Sequence, residues 1–239
     1  MGKSLVFPFI MLLSRTVLFG SMQLLAIFIF ALSWEESVAW WPFYAVATNL
    51  TGFMLLSLLA RRDGTTYLER IHFDRTKLWR DIKQVWWIFL AGGIAGGIGF
   101  SGFGFLINGT LQPPDTMIQS LPVWAAILAL IFFPLTNALA ELPTYMGYSF
   151  PKIEKAMRST RIAVFLCASF LAFQHVTLPV TLMDFRFMLW HFVSMIPLAL
   201  TVAFIFVRIR RLLPIMIVHY AMDVMAVIGV FTLSLGWGA

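Results

Sequence analysis

Four side chains capable of acid–base chemistry fall inside otherwise apolar stretches of this 239-residue chain: Glu141, His175, His219 and Asp223. His219 and Asp223 are spaced i, i+4 and so share one helix face, as do Asn137, Glu141 and Tyr145. A glutamate in a low-dielectric site becomes a stronger base, and a neutral histidine beside it can hold a water in line for attack. A second histidine backed by a carboxylate can donate a hydrogen bond to a carbonyl oxygen as it turns into an oxyanion. Together these roles describe amide hydrolysis, with Asn137 and Tyr145 as supporting residues. The same donors also suit a divalent ion such as zinc, held by Glu141, His175 and His219, although no local His-Glu-x-x-His motif is present.

The elements that must position these groups follow from composition. With 60% hydrophobic and 12% charged residues, including 24 Phe and 9 Trp, a water-soluble fold is excluded. Segments such as Ile162 to Val180 are apolar on every face, against the alternation that a transmembrane barrel needs. The expectation is an all-α, polytopic transmembrane helix bundle of about seven spans: 16–33, 38–60, 85–108, 122–149, 162–180, 187–207 and 212–234. Residues 1–15 read as an interfacial lead-in to an uncleaved first span, and residues 1–239 as a single membrane domain. The single cysteine, Cys167, excludes an intramolecular disulfide. Basic residues crowd three connections: seven in Arg61 to Gln84, four in Pro151 to Arg161 and three in Arg208 to Arg211. With Lys3 and Arg15 counted as flanks, 16 of the 17 Lys and Arg residues fall on one side, Arg186 alone on the other. The positive-inside rule then places the N-terminus in the cytoplasm and the C-terminus outside. The net charge of +6 is therefore read as topology rather than nucleic-acid binding. The lipid bilayer is a partner, and the plasma (inner) membrane the expected location in a prokaryote. Segment 61–84 reads as a solvated or headgroup-touching loop, although Tyr67, Ile71, Leu78 and Ile82 recur at roughly helical spacing.

Depth decides which polar groups can meet. At a rise of about 1.5 Å per residue, Glu141 lies about 15 Å from the cytoplasmic end of its span, His175 about 20 Å, His219 about 10 Å and Asp223 about 16 Å. All four occupy one layer, whereas His191 lies about 6 Å from the opposite face and is set apart. Ionisable groups at such depth are expensive unless paired or hydrated. Pro143 frees the carbonyl of Leu139 and Pro179 that of His175, which points to water in a cavity as their partner. The third span carries eight glycines from Gly92 to Gly109, and the pairs Gly92/Gly96 and Gly93/Gly97 are expected at helix contacts. Trp40, Trp41, Trp86 and Trp87 read as interface anchors.

The order Glu, then His, then His-x-x-x-Asp on three helices resembles the CPBP family of intramembrane endopeptidases. That family includes type II CAAX prenyl proteases and relatives linked to bacteriocin processing. Glu141-Leu142-Pro143-Thr144-Tyr145-Met146-Gly147 is similar to the family's Glu-Glu-x-x-x-Arg-Gly, keeping the first Glu and the Gly. Leu171 to His175 resembles Phe-x-x-x-His, with Phe170 and Phe173 flanking the motif position, and His219 to Asp223 resembles His-x-x-x-Asn/Asp. The resemblance covers roughly 120–235, while residues 1–119 carry no recognised motif. It implies a bundle of eight or so helices around a cytoplasm-facing intramembrane cavity. It also implies that Glu141 and His175 activate water, that His219 and Asp223 stabilise the oxyanion, and that the substrate is a membrane-associated protein or peptide. Leu142 and Met146 stand where the family has Glu and Arg, so an expected carboxylate–guanidinium pair is missing, a coupled loss that leaves no stranded charge. Two readings from another class stand beside the peptidase: a non-catalytic scaffold, and a proton-coupled carrier in which Glu141 and Asp223 take up protons.

Overall fold

The computed structural model describes residues 5–111, 117–178 and 184–237. Lys3, Asp115 and Pro179 lie outside the described residues. The described residues are 86% helical, with no strand among them. Seven helices dominate: α1 (Val6–Phe30), α2 (Trp41–Arg62), α3 (Leu78–Gly97), α4 (Val123–Leu142), α5 (Thr160–Phe173), α6 (Phe185–Ile209) and α7 (Leu213–Ser234). Three of them run on through tighter or wider turns, α3 to Asn108, α4 to Met157 and α5 to Thr177, and all seven units are long and apolar enough to cross a membrane. The molecule is thus an all-α, multi-pass integral membrane protein.

Six of the seven expected spans match these helices to within a few residues or about two turns of extension, but the first does not. α1 starts at Val6, so most of the expected lead-in is helix, and Arg15 lies in its interior with no exposed surface. A basic residue ends a span only where it must stay in water, and Arg15 finds its partners inside the protein. Segment 61–84 is a loop in its first half, as expected: it holds a single helical turn (Tyr67–Arg70) and a 3₁₀ turn (Arg75–Lys77), each capped by the preceding Thr66 or Asp74 side chain. Its second half, from Leu78, is already α3.

α4 sits at the centre, packed against α2 on one side and α7 on the other, while α5 pairs with α6 and α1 lies against α2. One apolar cluster gathers Leu142, Tyr145, Met146, Phe150, Cys167 and Phe206, and a second, toward the other end of the bundle, gathers Phe19, Trp41, Phe133 and Val230. The ends bearing the basic connections are tied by charge. Asp63 receives Arg70 and Lys152, both at 2.6 Å, Glu154 takes both arms of Arg210 at 2.7 and 2.8 Å, and Arg211 grips buried Asp81 with two bonds.

Proline shapes the centre. Pro143 opens the end of α4 into a π-helical stretch, Pro143–Ser149, every residue of which is buried. The carbonyl of Leu139 that Pro143 frees is taken by the Tyr67 hydroxyl at 2.7 Å. The carbonyl of His175 accepts from His191 Nδ1 at 3.2 Å. Side chains from the 61–84 loop and from α6 thus do what the sequence reading assigned to water.

The glycines of the third span divide by face. A Cβ on Gly92 would rest 3.5 Å from the Met222 sulfur of α7, whereas Gly93 and Gly97 face open space. The Gly92/Gly96 pair is therefore an interhelical contact as expected, and Gly93/Gly97 is not. The tightest approach comes further on, in the π turn Ile98–Gly102, where a Cβ on Gly99 would overlap the Ser194 carbonyl oxygen of α6. Gly99→Ala is accordingly expected to destabilise the protein by about 1–3 kcal/mol, in the range of overpacked sites, with Gly93→Ala neutral. Thermal unfolding in detergent micelles, followed by circular dichroism, checks this contrast.

Candidate active site

Glu141 lies on the last turn of α4 and is 3% exposed. Its two carboxylate oxygens go in opposite directions. Oε1 is 3.1 Å from His219 Nε2 on α7, and Oε2 accepts from Arg15 Nη2 on α1 at 3.3 Å. Asn137, one turn earlier on α4, ties the same helices together: its Oδ1 accepts from Arg15 Nη2 at 2.8 Å, and its Nδ2 donates to Asp223 Oδ2 at 3.0 Å. The Arg15 bond fixes which end of the amide is oxygen. His219 Nε2 is also 3.5 Å from Asp223 Oδ2, so the i, i+4 pair on α7 converges as the spacing requires. Three of the four expected residues, with Asn137, therefore form one bonded cluster.

His175 joins by proximity rather than by a hydrogen bond to that cluster. It sits in the 3₁₀ turn Gln174–Thr177 that continues α5, and its Nδ1 donates to the Leu171 carbonyl at 3.1 Å. That bond makes Nε2 the unprotonated nitrogen of the neutral ring, an acceptor for a water proton. The neighbour of His175 in that turn, Gln174, accepts from Arg15 Nε at 2.6 Å, which holds the turn against the cluster. His191 makes no contact with Glu141. Its link to the site is the bond to the His175 carbonyl, and its ring stacks on Phe187 at 4.3 Å.

The supporting residues divide. Asn137 is central, while the Tyr145 hydroxyl is buried among Arg15, Glu141 and Cys167 without a hydrogen-bond partner. Gly147, the motif glycine, has a positional reason: a Cβ there would meet Leu212 at 3.0 Å and the Arg70 carbonyl at 3.1 Å. Leu142 and Met146 are fully buried in the main apolar cluster, so no stranded charge marks the lost motif pair.

Two residues of the site were not foreseen. Arg15, read from the sequence as a flank, contributes three bonds, the third from Nε to Gln174 Oε1 at 2.6 Å. Gln174 is fully buried beside His175. A charge in an apolar helix was the available signal for Arg15; nothing in the sequence distinguished Gln174.

A divalent ion does not suit this donor set. One oxygen of Glu141 faces a guanidinium, whose positive charge opposes a metal at that point, and the other faces His219. Among the described residues no three His, Cys, Asp or Glu side chains are placed to hold a metal. A cavity of about 20 Å³, bordered by Gly92, Thr201, Val218 and His219, adjoins the cluster and has room for about one water. A far larger apolar cavity of about 540 Å³ lies between α1 and α2, lined by Met22, Phe30, Trp40 and Trp124, and includes none of the site residues.

Asn137 links Arg15 of α1 to Asp223 of α7. Asn137→Ala removes the acceptor of Arg15 Nη2 and the donor to Asp223, and is expected to lower stability by about 1–3 kcal/mol, the cost of leaving buried polar groups unmade. Asn137→Asp puts a third carboxylate between Glu141 and Asp223 and is expected to cost more. Both are read by thermal unfolding in micelles against the parent protein.

Comparison with known proteins bears on the same segment. No curated protein and no solved structure matches the chain. A family model does, described as type II CAAX prenyl endopeptidase Rce1-like, over residues 122–225, the stretch that holds Glu141, His175, His219 and Asp223. The match places an Rce1-like domain on residues 122–225 and supports the membership of the CPBP family that the three motifs suggest.

Proposed function

We propose that the protein is an intramembrane endopeptidase that hydrolyses a peptide bond of a membrane-associated protein or peptide, reached from the cytoplasmic face. The observation that carries this reading is the meeting of Glu141, His219, Asn137 and Asp223, from α4 and α7, in one bonded cluster with His175 beside it. Family membership supports the class of reaction.

The chemistry runs through protein groups. A water held between Glu141 Oε1 and His175 Nε2 gives a proton to Glu141 as its oxygen attacks the scissile carbonyl carbon. As Glu141 becomes neutral its hold on His219 Nε2–H weakens, and that donor turns to the carbonyl oxygen, which is gaining negative charge. Asp223 lies 3.5 Å from the same Nε2 and puts a carboxylate beside the imidazole, and Asn137 keeps Asp223 in place. The tetrahedral intermediate collapses, the C–N bond breaks, and the proton held by Glu141 passes to the leaving amine. Burial matters throughout, because the same donors act more strongly away from bulk water.

Glu141→Gln and His175→Ala, assayed in proteoliposomes with a membrane-tethered peptide substrate, are each expected to lower turnover by at least about 100-fold, the low end for general acid–base groups. Turnover unchanged in both overturns the peptidase reading. Proton-coupled uptake that is lost in Asp223→Asn, with no proteolysis by the parent, establishes the carrier instead. Chelation is expected to leave turnover unchanged.

A further inference from the structure

Arg15 belongs to α1, outside the matched segment 122–225, yet it makes three side-chain bonds at the site. Its guanidinium is fully buried, with Phe19 lying 5.0 Å from its carbon. The Nε and Nη2 edge forms a fork that reaches two other segments at once, Gln174 after α5 and the Asn137/Glu141 face of α4. Gly52 of α2 faces the same group: a Cβ there would lie in ordinary contact, 4.0 Å from Nη1 and 3.7 Å from the Ala140 Cβ. Among the described residues the only other basic side chain bonded to Glu141 is His219, and the motif position that would have held an arginine is Met146, packed in the apolar cluster.

The fork has a geometric effect on the reacting group. A lone glutamate side chain can rotate its carboxylate so that either oxygen faces the reaction. Arg15 occupies Oε2, which leaves Oε1 turned toward His219. The same nitrogen holds the Asn137 oxygen, and so turns the Asn137 amide nitrogen to Asp223. Both settings are made by one group that touches neither water nor substrate in the proposed reaction.

We infer that Arg15 is a positioning residue of the hydrolytic site: it selects the carboxylate oxygen that takes the water proton and sets the amide that supports the His219–Asp223 pair, making α1 part of the working enzyme. This rests on the peptidase reading above. It predicts a loss in the chemical step with little change in substrate binding.

The test uses the full chain in proteoliposomes with the membrane-tethered peptide. Arg15→Met, which keeps the length and removes the charge, is expected to lower kcat by about 100-fold, the effect of a misplaced reacting group, with KM within about twofold of the parent. Arg15→Lys restores charge without the fork and is expected to fall between, at about a tenfold loss. Thermal unfolding in micelles supplies a readout free of activity. Arg15→Met and Glu141→Gln together are expected to cost less stability than the sum of the two alone, because each single change strands the other partner. A parent that turns over while Arg15→Met keeps its kcat, or loses only KM, overturns the positioning role and leaves the peptidase reading standing. If Arg15→Met does not fold, parent-like kcat in Arg15→Lys overturns it equally. A parent without turnover overturns the peptidase reading and the positioning role together.

Discussion

A carboxylate buried among helices in hydrocarbon keeps its charge only where cations meet it, and Glu141 meets two from opposite sides of the bundle. Arg15 comes from the first helix and His219 from the last, with α4 between them. That arrangement explains why α4 is the central element and why α1 packs against the second half of the chain. Further bonds hold α1 in register there: Thr177 donates to the Thr16 carbonyl at 2.9 Å, and Ser149 to the Pro8 carbonyl at 3.4 Å. Sequence distance is irrelevant to such a clamp. The charge must be met at one depth, and whichever helix can present a guanidinium there becomes part of the site.

The same constraint governs the irregular backbone. Proline in a membrane helix leaves a carbonyl that must find a donor. Here Tyr67 donates to the Leu139 carbonyl that Pro143 frees, and His191 donates to the His175 carbonyl beyond the end of α5. Each pairing gives a carbonyl within the bundle a side-chain donor. The second also gives His191 a purpose that its depth alone hides: it braces the turn on which His175 sits.

Glu141, His175, His219 and Asp223 were legible in the sequence because a polar residue in a long apolar segment has few places to go, and residue spacing converts to depth almost directly. Arg15 was illegible for a reason of the same kind. Taken as the end of a lead-in, it belongs with the loop charges. Counted from Val6, where the helix begins, it lies about 14 Å in, the same layer as Glu141. Gln174 carries no charge and so left no mark against its background. The glycine pairs were half legible: their spacing shows that two faces are smooth, but only the packing of α7 decides which face is used. The roles of Tyr67 and His191 depend on contacts between distant segments, which no local pattern encodes.

The meeting of Gly99 with the Ser194 carbonyl has a mechanical consequence. At most helix crossings side chains lie between the backbones and absorb small displacements by changing rotamer. At this crossing there is nothing to rearrange, so α3 and α6 cannot slide past one another and can only rock about the point of contact. A fixed fulcrum of this kind confines any widening of the bundle to other seams.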